Sequence, residues 1–294
     1  MKNVKRSSTA PDSPFAVFED PRSMLAASRK WRGERLSIGL VPTMGALHAG
    51  HLSLIDQACR ENSRVVVSIF VNPIQFGPGE DFERYPRDPE RDGELLRKAH
   101  VDAVYRPSVD GMYPAGSSTR IHVAGVSEGL EGAARPVHFD GVATVVAKLL
   151  SVVEPDRAYF GQKDAQQVAV VKRLTRDLDL PVEIRVGPTV READGLALSS
   201  RNAYLSPDER RAAVCLSSAL RLAADAYAGG ERGPERLRQA LRARLEAEPL
   251  ARVEYAEVVD PESFRSPGSL AVLAVRIGGT RLIDNHDLSK AFPG

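Results

Sequence analysis

The chain has 294 residues and a formal net charge of +1, with 43% hydrophobic and 27% charged residues. That length asks for one large or two smaller domains, with the balance of an ordinary globular protein. Near-neutral charge argues against nucleic-acid binding through a general basic field, and two cysteines, Cys59 and Cys215, argue against a disulfide scaffold or cysteine-rich zinc site.

Residues 1–14 are basic and polar without the apolar core of a secretion signal, and read as a flexible N-terminal tail. Apolar, β-rich runs at 37–41, 64–71, 102–106, 157–160 and 182–186 predict strands. The run at 64–71 is apolar almost throughout, as in a strand covered on both faces. Helical patterns fall between them near 50–60, 90–100, 142–154 and 164–178, the last with Val168, Val171, Leu174 and Leu178 on one stripe. Such alternation predicts a doubly wound parallel sheet with helices on both faces, binding its ligands beyond the carboxyl ends of the strands. The rhythm changes after Pro188. Ser206-Pro207-Asp208-Glu209 is a capping box opening a long helix to about Tyr227, closed by Gly229-Gly230. A helix over 234–247 carries Leu237, Leu241 and Leu245 on one face, and short strands follow near 253–259, 270–277 and 280–284. The expected division is 15–189 and a smaller α+β domain, 190–294. No stretch is long and apolar enough to span a bilayer, and the few cysteines fit a reducing, cytoplasmic compartment.

Thr43-Met44-Gly45-Ala46-Leu47-His48-Ala49-Gly50-His51 follows the apolar run Ile38–Val41. A helix start carries unsatisfied N–H donors and positive potential, and glycines allow close approach, an arrangement suited to a triphosphate. His48 and His51, three apart, share one helix face. Gly45 and Gly50 have P-loop spacing, but His51-Leu52 stand where that loop needs Lys and Ser/Thr. Asn72 and Gln75, in Asn72-Pro73-Ile74-Gln75-Phe76, can bind an uncharged polar part of a substrate, or serve turn chemistry. The charged, glycine-bearing stretch 77–92, with Tyr85, reads as a closing loop or a solvated one. Arg135 and His138, before a helix starting near Gly141, suit an anion or are surface structure. In Gly161-Gln162-Lys163-Asp164-Ala165-Gln166-Gln167, Lys163 suits a phosphate and Asp164 a ribose hydroxyl, with Gln167 one turn on; a solvated helix start is the alternative. The segment 194–202, ending in Leu198-Ser199-Ser200-Arg201-Asn202, can wrap phosphates or form a hairpin loop.

Together these segments resemble the pantothenate synthetase (pantoate–β-alanine ligase) family. The resemblance rests on Pro42 through His51, Phe70 through Phe76, Tyr85-Pro86-Arg87, Phe160 through Asp164 with Gln166-Gln167, and Val190-Arg191-Glu192 through Leu198–Asn202, in the family's order. It implies a Rossmann-like sheet of the HxGH nucleotidyltransferase type with a smaller C-terminal lid domain. It also implies a two-step, Mg²⁺-dependent reaction. The carboxylate of D-pantoate attacks the α-phosphorus of ATP, giving pantoyl adenylate and pyrophosphate. The amine of β-alanine then attacks the acyl carbon and releases AMP. By resemblance His48, His51, Lys163, Ser199, Ser200 and Arg201 are catalytic, and Pro42, Met44, Gly50, Gly161, Asp164, Val190 and Leu198 complete the ATP contacts. Gln75, Gln167, Met44 and Asn72 would hold pantoate, with Tyr85, Arg135 and His138 as accessories and Asp92 as a candidate Mg²⁺ ligand. A homodimer is expected, with no nucleic-acid or membrane partner. Three positions depart from the family pattern: Val137 where glycine is usual, Asp140 where a basic residue is common, and Arg91 where an acid can stand. A nucleotidyltransferase acting on a phosphorylated acceptor would need basic residues near 72–76, and a non-catalytic relative would have lost His48, His51, Lys163 or Arg201; neither condition holds.

Overall fold

The apolar runs become strands in a computed structural model, which describes residues 15–293; the stretch 1–14 lies outside the described residues. The described residues divide into two compact units, one comprising Val170–Gly187 with those up to Gly161, the other Gln162–Ala169 with those from Pro188. The first contains β1 (Ala16–Phe18), α1 (Pro21–Gly33), β2 (Ile38–Thr43), α2 (Ala49–Glu61), β3 (Arg64–Ile69), α3 (Pro89–Lys98) and β4 (Ala103–Tyr105). Then come α4 (Val109–Met112), α5 (Glu131–Ala134), α6 (His138–Val153), β5 (Arg157–Gly161), α7 (Ala165–Asp177), whose first turn counts with the second unit, and β6 (Glu183–Gly187). The six strands form one parallel sheet in the order β1-β4-β3-β2-β5-β6.

Central β2 pairs with β3 along its whole length and with β5 through Gly39–Arg157 and Leu40–Ala158. Ile38, Leu40, Val41, Val65, Val66 and Val67 are fully buried, the two-sided burial that unbroken apolar runs require. The amino ends of these strands are sealed by polar groups. Buried Asn62 donates to Ala58 O (2.9 Å) and the Tyr159 hydroxyl (2.6 Å), and accepts from Arg157 (3.1 Å). An added Cβ at Gly39 would lie 2.6 Å from the Asn62 amide nitrogen, so any larger residue would have to displace Asn62 from these bonds. The chain turns back between β2 and β5, and the carboxyl ends at that switch point are where open α/β sheets bind ligands.

Three expectations need correction. Leu178 is 52% exposed while Val168, Val171 and Leu174 are buried. The helix stops at Asp177, closed by Asp179 at φ 50° and a Leu180 N–H to Thr175 C=O bond of 2.9 Å. The stretch 77–92 is not all loop, because α3 begins at Pro89, N-capped by Asp88 accepting from Arg91 N. The third lies in the second unit, where the helix expected to reach Tyr227 is two: α8 (Pro207–Ala212) and α9 (Cys215–Ala228). There Val214 N bonds Arg211 O (3.4 Å) and Leu216 N bonds Ala213 O (3.2 Å), so the backbone tightens to i→i+3 spacing.

The second unit also holds α10 (Pro234–Glu246) and an antiparallel sheet of β7 (Ala251–Val259), β8 (Leu270–Ile277) and β9 (Thr280–Asp287). Leu216 and Leu220 of α9 and Leu237, Leu241 and Leu245 of α10 pack with Val258, Leu273 and Val275 in its core. Among the described residues no helix is long and apolar enough to cross a membrane.

Candidate active site

In the first unit, β2 ends in a strongly turned loop. Gly45 (φ 84°) and Ala46 (φ 50°) are consecutive left-handed residues. Their turn is fixed on one side by Thr43, whose hydroxyl donates to Ser68 O (2.8 Å) and accepts from Gly45 N (3.2 Å). On the other side Asp92 of α3, 2% exposed, accepts from Ala46 N at 2.9 Å and Leu47 N at 2.7 Å. Asp92 was expected to ligate Mg²⁺, but both its oxygens are engaged by the loop. Two of the loop N–H groups are thus satisfied by the protein's own carboxylate and not left for a phosphate. Burial pushes the Asp92 pKa up, opposed by these two hydrogen bonds. Among the described residues no three His, Cys, Asp or Glu side chains are grouped to hold a metal ion.

The histidines begin α2 by capping it. His48 is the N-cap, and its Nδ1 accepts from Gly50 N (3.1 Å), while His51 Nδ1 accepts from His48 N (3.4 Å). Imidazole here takes the place of the usual Ser, Thr, Asp or Glu of a capping box. A neutral ring that accepts through Nδ1 carries its proton on Nε2, so both rings are set as Nε2–H donors. The ring centroids are 4.1 Å apart. Gly50 makes room for this, since a Cβ there would lie 2.9 Å from His48 Cε1.

After β3, the short 3-10 turn Pro73–Gln75 brings together three of the residues expected at pantoate. Asn72 and Gln75 are buried, 1% and 7% exposed. Asn72 Nδ2 donates to Gly141 O (3.1 Å) and Gln75 Oε1 (3.0 Å), and Gln75 Nε2 lies 3.3 Å from Met44 Sδ. Asn72 makes no side-chain cap of its turn, so its amide belongs to the Gln75 network rather than to local turn chemistry. The hydroxyl of Tyr113, a residue outside every motif in the sequence, donates to Asn72 Oδ1 at 2.8 Å.

Arg135 and His138 form part of the wall around this turn. Arg135 pairs with Glu80 (2.5 Å), Nε adding contacts of 3.1 Å, so its charge is already answered. His138 Nδ1–H donates to Gln75 O (3.1 Å) and its Nε2 faces Arg135 (3.2 Å). Burial, then the adjacent guanidinium, holds its pKa down to about 4 and keeps it neutral. Neither residue is therefore disposed to hold an anion, and α6 starts at His138 rather than near Gly141. Of the departures in this stretch, Val137 is exposed and Asp140 pairs with His122 (2.8 Å). Tyr85 is buried, packed with Phe82 around Phe76, and Arg87 donates to the Phe82 and Tyr85 carbonyls. The loop is thus folded around its own aromatic cluster.

In the second unit, Gln162–Asp164 make a 3-10 turn into α7, with Gln167 half-buried one turn further. Asn285 of β9 holds that turn, donating to Gln162 O and Lys163 O, both at 2.9 Å, while Gln162 donates back to Asn285 Oδ1. The segment 190–198 is a hairpin. Leu198 N bonds Val190 O (2.9 Å), and Gly195 turns it at φ 92°. Arg191 anchors the hairpin in a buried bidentate pair with Asp284 (2.6 and 2.9 Å). Ser199 then caps the turn Ser200–Tyr204, its hydroxyl accepting from Arg201 N. Asp284 and Asn285 carried no signal in the sequence, because their partners lie far away in the chain.

Residues 16–287 match the family model described as pantoate–β-alanine ligase. The pantothenate synthetase of Rubrobacter xylanophilus is 55% identical over 289 residues, covering 94% of this chain and 99% of its own. That of Herpetosiphon aurantiacus is 54% identical over 266 residues, 88% of this chain and 95% of its own. The crystal structure of pantothenate synthetase from Thermus thermophilus aligns with a TM-score of 0.87 at 48% identity, covering 93% of this chain and 99% of that one. Pantoate–β-alanine ligase from Francisella tularensis, complexed with β,γ-ATP and β-alanine, aligns with a TM-score of 0.80 at 34% identity over 95% of this chain and all of that one. Likeness of this degree, over nearly the full length of both chains in each comparison, makes this chain a member of the pantoate–β-alanine ligase family.

Proposed function

We propose that the protein joins D-pantoate to β-alanine with ATP, through pantoyl adenylate. The observation that carries this reading is the pairing of Nε2–H histidines with a hydrogen-bonded cluster of side-chain amides on neighbouring loops at the carboxyl ends of β2 and β3. A carboxylate oxygen of pantoate attacks the α-phosphorus as the bond to the β-phosphate breaks, and negative charge grows on the departing pyrophosphate. Preorganised donors facing that charge lower the barrier, a role we assign to His48, His51, Lys163, Ser199, Ser200 and Arg201. Pro42, Met44, Gly50, Gly161, Asp164, Val190 and Leu198 complete the nucleotide contacts. Gln75, Gln167, Met44 and Asn72 hold pantoate through neutral donors and acceptors. An acceptor carrying a phosphate would require unpaired cations beside Gln75, whereas Arg135 is paired with Glu80. In the second half-reaction the amine of β-alanine attacks the acyl carbon, the acyl–phosphate bond breaks, and AMP leaves. ATP and β-alanine are the ligands named for the Francisella tularensis relative. Mg²⁺ enters this scheme on the phosphates of the nucleotide, as part of the substrate. A cytoplasmic homodimer completes the proposal.

The test is ATP–pyrophosphate exchange with Mg²⁺ in the absence of β-alanine. Exchange should require D-pantoate. His48→Ala or His51→Ala should lower it by about 10²–10³-fold, the scale of a lost transition-state donor, with unchanged circular dichroism. Unimpaired exchange in both variants would remove the role given to the histidines.

A further inference from the structure

The side-chain amide of Asn72 meets three groups, and their chemistry fixes its orientation. The Gly141 carbonyl has no proton to give, so the Asn72 atom 3.1 Å from it must be the nitrogen. The second proton of that nitrogen goes to Gln75 Oε1 at 3.0 Å. The oxygen of Asn72 then needs a donor of its own, and the Tyr113 hydroxyl supplies it at 2.8 Å. With its oxygen held, Gln75 turns its NH₂ to the other side, toward Met44 Sδ, a weak acceptor.

We propose that Tyr113 is a positioning residue for the acyl substrate: through Asn72 its hydroxyl locks Gln75 so that its amide presents an N–H donor and selects a substrate oxygen that accepts. This rests on the reading that Gln75 binds pantoate. Tyr113 is well placed for a fixed role. It closes α4, its backbone N–H on Val109 O at 2.7 Å, and its ring stands 6.2 Å from that of Phe70. Burial keeps its hydroxyl protonated, well above the ordinary range of a tyrosine, so it remains a donor. Without it the buried Asn72 oxygen loses its donor, and the amide gains freedom to rotate and release Gln75.

The experiment is Tyr113→Phe in the full-length protein, read by pantoate-dependent ATP–pyrophosphate exchange. The apparent KM for pantoate should rise about tenfold, the scale of a buried acceptor left without its donor, while the KM for ATP stays unchanged. In a Gln75→Ala background the same substitution should add nothing, because the residue through which it acts is gone. A KM for pantoate equal to wild type, or an effect of equal size in both backgrounds, would overturn the proposal. A general loss of packing would shift both substrates and persist without Gln75, so the cycle separates it from positioning. Absence of pantoate-dependent exchange in the wild type would instead overturn the functional reading beneath it.

Discussion

The ring of His138 lies against the Gln75 carbonyl and the Arg135 guanidinium, buried, with its pKa held down to about 4. In the unfolded chain the same group titrates near its ordinary value of 6.5. The folded state therefore binds this proton less tightly. The stability that His138 contributes is fully present above pH 6.5 and is lost as pH falls through about 4. The gap is worth about 3 kcal/mol. The melting temperature of the wild type should fall more steeply between pH 6.5 and 4 than that of His138→Gln; superimposable profiles would show that His138 titrates normally. How much of such a residue is legible in the sequence depends on whether its partner is close in the chain. His48 and His51 stood out because three-residue spacing puts them on one helix face. Their Nδ1 capping, which decides the tautomer, follows from the extended φ of His48 (−136°) and was invisible. Asp92 entered only through the family resemblance, as a candidate Mg²⁺ ligand, and only the fold shows that it faces Ala46 N and Leu47 N. Tyr113 gave no signal, because no spacing rule ties it to Asn72.

Helix α6 and the turn Pro73–Gln75 meet at Gly141, where an added Cβ would lie 2.5 Å from Gln75 Cα and 2.6 Å from Ile74 O. Helix propensity alone favours alanine over glycine by about 1 kcal/mol. Overpacking against backbone costs typically about 1–3 kcal/mol and sometimes more, so the contact should win. Gly141→Ala is expected to lower the melting temperature and to raise the KM for pantoate; a stabilised variant with normal KM would show that the turn yields freely. Elements were legible where the apolar pattern was strong. The continuous run at 64–71 announced a buried strand, and Leu237, Leu241 and Leu245 announced α10, whose three leucines are buried. Helix α1 escaped notice because Met24 is its one large buried apolar side chain, although Asp20 caps it at Ser23 N and Pro21 opens it. The break between α8 and α9 escaped too, since no glycine or proline marks a change from i→i+4 to i→i+3 bonding.

At the scale of the molecule, alternating strands and helices foretold the parallel sheet, but not the order β1-β4-β3-β2-β5-β6, which pattern alone does not specify. Nor did it show that Gln162–Ala169 groups with the C-terminal unit, which follows from the hold of Asn285 on the Gln162 and Lys163 carbonyls. The strand order has a consequence for how the chain is made. One edge of β2 is covered soon, by β3 at Arg64–Ile69, but the other waits for Arg157 and Ala158. While all that lies between is being synthesised, the emerging chain exposes a bare, apolar strand edge, the kind of surface that pairs with other chains. A fragment ending at Asp156 should therefore sediment as aggregate far more than one extended through β6 to Gly187, and equal solubility would show that the edge is shielded by other means. The pairing that places the switch point at the middle of the sheet is also the pairing that the ribosome delivers late, so this protein's yield in the cell should depend on chaperones that cover strand edges during translation.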